Sequence, residues 1–444
     1  MIKSRTNLIY YSIVVAIAGF LFGFDTVVIS GANLPIKELW LTSDWFHGVF
    51  IMSMALWGTV LGALIAGYPT DNYGRKKTLL GIGVLYFVSS IGSALAGDPY
   101  TFSFFRFIGG VGVGISSIAA PTYISEISNP KNRGTLGSLY QFNIVFGILI
   151  AYLSNFLLDG YGGDDDWRWM LGVEAIPAII YTILVTGIPE SPRWLILNNH
   201  APDKAMQILL KITNKEDAAQ ILFNLKGDKE TTKKSTPKLF VSKYRIPLVL
   251  AFLIAFFNQL SGINFILYYA PEILIKAGFG STGSLFSSIS IGLVNLVFTL
   301  LGVFLIDRAG RKLLMYIGSI GYIISLAMVS YLFFVDSPAN YKLIFILLFI
   351  ASHAIGQGAV IWVFISEIFP NKIRAYGQAW GSGTHWVFAA LVTLLGSMLL
   401  SYLYTWVIFL IFTFLMLCQL IFVHFLMPET KGKSLEDLER ELKH

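Results

Sequence analysis

Charge is what this sequence has least of. Of its 444 residues only 13% are Asp, Glu, Lys or Arg, while 55% are hydrophobic, and the mean hydropathy is +0.68. A soluble chain carries about 25% charged residues, so a soluble enzyme and a disordered chain are both excluded. Cysteine is nearly absent: Cys418 stands alone, which rules out a disulfide scaffold and leaves no redox compartment to read. His, Cys, Asp and Glu nowhere cluster at metal-ligand spacing, and there is no phosphate loop or nucleophile triad. No catalytic residue, metal or cofactor is therefore expected. The apolar stretches do not alternate as the strands of a membrane barrel do.

What remains is a set of long apolar runs. A bilayer core takes about 20 apolar residues per helix, and twelve runs meet that length: 8–33, 46–68, 78–97, 102–125, 135–158, 168–188, 246–275, 283–306, 312–335, 342–368, 374–401 and 402–427. Lys3 and Arg5 precede the first run as in a signal peptide, but the run continues past Asp25 without a small-residue cleavage site, which predicts a retained first span. The expected fold class is an all-α membrane protein of twelve transmembrane helices. Its divisions are a six-helix bundle over 1–188, a polar linker over 189–245, a second bundle over 246–427 and a tail over 428–444. In the linker, Ala201–Thr213 and Glu216–Leu225 show helical periodicity and predict short interfacial helices, and Lys226–Lys238 reads as a solvated stretch.

The few charges are sorted by side. The termini and the even-numbered loops hold 27 of the 32 Lys and Arg, which places both termini in the cytoplasm. The net charge of +6 is thus a topology label spread over seven segments, and the expected partner is the lipid bilayer rather than nucleic acid.

The chain also repeats. Asp71-Asn-Tyr-Gly-Arg75-Lys recurs 236 residues later as Asp307-Arg-Ala-Gly-Arg311-Lys. Ser125-Glu126-Ile with Arg133 recurs 241 later as Ser366-Glu367-Ile with Arg374. Pro189-Glu190-Ser recurs 239 later as Pro428-Glu429-Thr. Three motif types at nearly one offset mean two homologous six-helix halves, an arrangement that places a substrate site between them near the midplane. Glycine permits a tight two-to-three turn. Each arginine can then reach a carboxylate at a neighbouring helix end, a latch on the cytoplasmic face that biases one of two conformers.

These loops resemble those of the major facilitator superfamily. Pro189-Glu190-Ser-Pro-Arg193, Pro428-Glu429-Thr-Lys-Gly and Gln259-Leu-Ser-Gly-Ile-Asn264 narrow the resemblance to its sugar porter family, over essentially the whole chain. It implies alternating-access transport of a monosaccharide, hexose or pentose, across a cytoplasmic (inner) membrane by a functional monomer that is not an enzyme. Proton symport, with protons as the coupling ion, is the first expectation. A facilitative uniporter is the alternative within the class, and a non-transporting sugar sensor is the alternative outside it.

Three ionisable residues lie well inside spans, where charge is costly and functional by default: Asp25, Arg106 and Glu174. Counted from the outer helix ends they sit about 12, 6 and 9 Å deep, so they can meet. Two acids sharing one base in low dielectric titrate as a unit, the chemistry of proton pick-up. In the resemblance Asp25 matches the aspartate of proton symporters, Arg106 its partner, and Glu174 a position acidic in proton-coupled members.

A sugar asks for neutral amides and aromatic platforms. Gln141, Gln259, Asn264, Asn295, Trp362 and Trp386 supply them and fall on sugar-binding positions of the family. Phe22, a turn before Asp25, is placed to link the two sites. Tyr268 and Tyr269 look like the family's aromatic gate, and Gly356 and Gly358 should let span 10 bend beside Trp362. Two positions depart from the pattern: Asn258 stands for the usual Gln, and His385 for a Gln or Asn. His385-Trp386 points to fructose and Trp362 points away from it, so the sugar stays open. His353 and His47 are read as packing residues.

Overall fold

The computed structural model describes residues 2–128, 132–198, 201–231, 239–370, 373–433 and 438. Among them the chain is helical, and eleven helices are long and apolar enough to cross a bilayer. A bent pair, Asp44–Met52 and Met54–Ile65, makes the twelfth span, breaking by 40°.

The first half holds five spans besides the bent pair. They are span 1 (Ile2–Trp40), span 3 (Arg75–Ala94), span 4 (Pro99–Ile127), span 5 (Arg133–Leu158) and a broken span 6 (Asp166–Gly172 and Ala175–Thr186). The second half holds spans 7 (Arg245–Leu260, Ile263–Tyr268 and Ala270–Ala277), 8 (Ser281–Ala309), 9 (Arg311–Phe334), 10 (Ala339–Ile355 and Gln357–Glu367), 11 (Arg374–Tyr402) and 12 (Thr405–Phe425). The linker helices occur at Pro202–Ile212 and Lys215–Thr231, with a shorter one at Pro192–Leu197. Part of the Lys226–Lys238 stretch, residues 232–238, lies outside the described residues, as does most of the tail.

The breaks in spans 6 and 7 have local causes. Proline has no N–H to give the carbonyl four residues earlier. Pro177 so releases the Val173 carbonyl, which takes the Ile176 N–H at 3.1 Å instead, and the helix restarts just after Glu174. Pro271 releases the Leu267 carbonyl in the same way, and the Tyr152 hydroxyl donates to it at 2.8 Å from span 5. Continuous spans were expected at both places. The apolar run registers length but not the loss of one N–H.

Around the repeated loops the two halves match bond for bond. Arg75 grips Glu126 with two parallel bonds of 2.8 and 2.9 Å, touches Asp71 at 3.2 Å and donates to the Thr70 carbonyl at 2.9 Å. Arg311 grips Glu367 at 2.8 and 3.1 Å, touches Asp307 at 3.3 Å and donates to the Ile306 carbonyl at 3.1 Å. The backbone N–H of each arginine donates to the third glutamate of its half, Glu190 at 2.9 Å and Glu429 at 3.0 Å. Gly74 and Gly310 have φ of +93° and +90°, and a Cβ there would stand 2.4 Å from Glu190 Oε2 and 2.7 Å from Glu429 Oε2. Only glycine fits on both counts.

These bonds close within one half. Among the described residues the expected latch is thus seen as bonds within each half. Arg193 is exposed, the side chain of Arg133 lies outside the described residues, and Arg374 keeps Nε and Nη2 buried without a partner.

At the opposite face the halves are tied together. Asn33 donates to Glu272 at 2.9 Å, Ser401 to Asp44 at 2.7 Å, and Thr282 to Asp159 at 2.8 Å. Gly48 lies so close to span 11 that a Cβ would stand 2.2 Å from the Leu394 carbonyl. Among the described residues these ties between the halves lie at the face opposite the repeated loops.

Candidate functional site

Inside the first bundle, Arg106 donates from Nη1 to the Asp25 carboxylate and from Nη2 to the Asp25 carbonyl at 3.0 Å. Both residues are buried. The helix break at Val173–Glu174 delivers a third buried group: the Glu174 carboxyl lies within hydrogen-bonding reach of Asp25, and its Oε1 has no partner. The structure thus brings the three residues together. A buried ion pair is weak evidence of stability, since desolvation offsets the attraction. Two carboxyl groups beside one base leave one acid without a counter-ion, so the arrangement can hold and pass a proton.

The second cluster lies where the halves meet. The Trp362 and His385 ring centroids are 4.9 Å apart, those of His385 and Trp386 4.8 Å, and those of Trp386 and Phe22 5.5 Å. Phe22 is three residues before Asp25 on span 1, so this aromatic wall ends one turn from the ion pair. Trp362, in the second segment of span 10, is 36% exposed. Gln259 donates to Asn258 Oδ1 at 2.9 Å and lies 3.2 and 3.3 Å from the two His385 ring nitrogens. Asn295 is buried on span 8 and accepts from Thr299 at 3.4 Å. Gln141 and Asn264 are half-buried on spans 5 and 7.

The two tyrosines divide. Tyr269 is locked by its hydroxyl to the Thr393 carbonyl at 2.8 Å and packs against Gly396, whereas Tyr268 is buried and, among the described residues, makes no such tie to span 11. Span 10 breaks at Gly356 (φ −84°, ψ −101°), six residues before Trp362, and Gly358 packs beneath the His353 carbonyl.

Some participants escaped the sequence reading. His47 is not a packing residue: it takes part in bonds to Asn33 at 2.7 Å and to Thr42 at 2.9 Å, behind the Asn33–Glu272 tie. His353 pairs with the Tyr322 hydroxyl at 2.6 Å. Gln357 and Gln419 join a buried amide chain behind Asn258. The sequence signal is only generic: an amide inside a span is costly without a partner, which flags the residue but not what it meets.

The family model for sugar (and other) transporters matches residues 11–442. The chain belongs to this family. Among curated members it is 35% identical to the arabinose-proton symporter of Bacillus subtilis (strain 168), over 97% of this chain and 94% of that one. It is 32% identical to the D-xylose-proton symporter of Escherichia coli (strain K12), over 96% and 94%. Among solved structures, the inward open conformation of the xylose transporter XylE from E. coli superposes with a TM-score of 0.87 at 30% identity, covering 98% of this chain and 99% of that one. Family membership accounts for the twelve spans and the repeated loops.

Proposed function

We propose that this protein is a proton–monosaccharide symporter and that the structure is its inward-facing state, with both termini in the cytoplasm. The observation that carries the reading is the buried Asp25–Arg106 pair with Glu174 against it, one helical turn from an aromatic and amide-lined site. Two homologous symporters named for pentoses support the substrate class.

The cycle follows from the geometry. In the outward-facing state a proton neutralises Asp25, and Arg106 loses its counter-ion. Span 1 is then free to move with Phe22 against a bound sugar, whose hydroxyls meet Gln141, Gln259, Asn264 and Asn295 and whose ring stacks on Trp362. The halves rock, the far-face ties form, and the latch around Arg133 and Arg374 opens. Sugar leaves to the cytoplasm. The proton passes from Asp25 to Glu174 and out, and the Arg106–Asp25 bond seen here re-forms, fitting the empty carrier for its return.

Radiolabelled monosaccharide uptake into proteoliposomes with an imposed proton gradient, competed with a panel of hexoses and pentoses, tests the reading. A symporter concentrates its sugar when the gradient is inward and acidic outside. A uniporter only equilibrates it, and a sensor binds without uptake.

A further inference from the structure

Behind the sugar site, in the second half, four amides form one chain. Gln419 Nε2 donates to Ser319 Oγ at 2.8 Å, Gln357 Nε2 to Gln419 Oε1 at 2.9 Å, Asn258 Nδ2 to Gln357 Oε1 at 3.4 Å, and Gln259 Nε2 to Asn258 Oδ1 at 2.9 Å. The chain crosses from span 9 through spans 12 and 10 to span 7, and all five residues are buried. Every link points the same way: each NH2 donates to the next carbonyl, and the last NH2 also faces His385 at 3.2 and 3.3 Å. One atom is left over. Gln259 Oε1 is a buried acceptor without a partner, at the end of the chain that meets the sugar site.

An amide has two faces of opposite hydrogen-bond sense, and turning one member over requires turning its neighbours. The sense at the site is therefore set by the whole chain: Ser319 accepts from Gln419 at the back, and at the front the Gln259 NH2 is held between Asn258 Oδ1 and the His385 ring nitrogens. We propose that Ser319, Gln419 and Gln357 are positioning residues that fix Gln259 carbonyl-outward. At this point the site then selects a sugar hydroxyl that donates. The inference rests on the sugar-transport reading. It adds that a substituent able only to accept is rejected here, and that residues with no sugar contact decide this. Leaving Gln259 Oε1 buried and unpaired is what penalises the wrong ligand.

The test uses the full chain in proteoliposomes, with D-xylose or D-glucose, whichever competes better for uptake, and its monodeoxy and monodeoxyfluoro derivatives. A deoxy position neither donates nor accepts; a fluorine accepts without donating. At one ring position the wild-type protein should bind both derivatives about tenfold more weakly than the parent sugar, with no advantage for fluorine. Ser319→Ala and Gln419→Leu should each let Gln259 turn over, so that the fluoro derivative at that same position gains at least about threefold on the deoxy one. Ser319→Ala removes a single hydroxyl and decides the matter if Gln419→Leu fails to fold. The proposal is overturned if fluorine restores binding in the wild-type protein wherever the deoxy sugar is weak. It is equally overturned if neither substitution alters the fluoro-to-deoxy ratio at any position. Failure of every parent sugar to bind would instead overturn the transport reading, and this inference with it.

Discussion

Arg106 holds two groups of Asp25 at once, the carboxylate and the backbone carbonyl, so it fixes both the charge and the position of span 1. Arg106→Leu leaves a buried carboxylate without its counter-ion, a change that costs about 3–5 kcal/mol. The variant should melt well below the wild-type protein in detergent, and Asp25→Asn in the same chain should recover part of the loss. An unchanged melting temperature for Arg106→Leu would mean that the pair carries little energy. Glu174→Gln keeps shape and hydrogen bonding but cannot exchange a proton; it should slow gradient-driven uptake by about tenfold or more while sugar exchange across the membrane persists. Wild-type accumulation by that variant would remove Glu174 from the proton path. Asp25, Arg106 and Glu174 were legible from sequence because each is a charge in an apolar run, and helix depth alone aligned them. Gln357 and Gln419 were not: their partners lie 99 and 62 residues away, and nothing local distinguishes such an amide from interhelical glue.

The spans themselves were legible to within a few residues, since hydrophobic length dictates them. Their interruptions were legible only at Gly356. Pro177 and Pro271 act by releasing a single carbonyl, and what that carbonyl then does depends on a helix elsewhere in the chain. For Leu267 it is Tyr152 of the other half, so a defect in one span becomes part of the far-face seal. Tyr152→Phe removes one hydrogen bond, worth about 1 kcal/mol, and should move the population several-fold towards the state open at that face. A Ser397→Cys probe, buried in span 11, reports it in a chain with Cys418→Ser: labelling by a membrane-impermeant maleimide from the far side should speed up by about the same factor. Identical labelling rates with and without the hydroxyl would show that this tie does not hold the seal.

Across the whole molecule the repeat is repeated chemistry, yet the two halves differ in one respect. Burial pushes the Glu190 carboxyl above its ordinary range, outweighing the Ser191, Lys76 and Arg75 N–H bonds that favour its charge. Burial acts in the same sense on Glu429, but N–H donors from Lys431, Lys312, Arg311 and Thr430 outweigh it and hold Glu429 below that range. The signs follow by linkage. A lowered acid stabilises the fold at neutral pH and loses that contribution as pH falls through its folded value; a raised acid does the reverse. Glu429→Gln should therefore lower the melting temperature at pH 7 and matter progressively less towards pH 4. Glu190→Gln should be near neutral or stabilising at pH 7. Equal losses at pH 7 for both variants would contradict the difference in environment. The twelve-span architecture and its two-fold repeat could be seen in the sequence because motif spacing survives without contacts. The far-face ties among Asn33, Glu272, Asp44 and Ser401 could not, because no short motif encodes them.

Coupling of sugar to proton through Asp25 is the centre of the account, and Asp25→Asn tests it most directly. Purified wild-type and variant proteins in proteoliposomes are compared for sugar accumulation under an imposed proton gradient and for sugar counterflow without one. Asp25→Asn should abolish accumulation above the external concentration and retain counterflow within a few-fold of wild type. Accumulation by Asp25→Asn against a sugar gradient would contradict it.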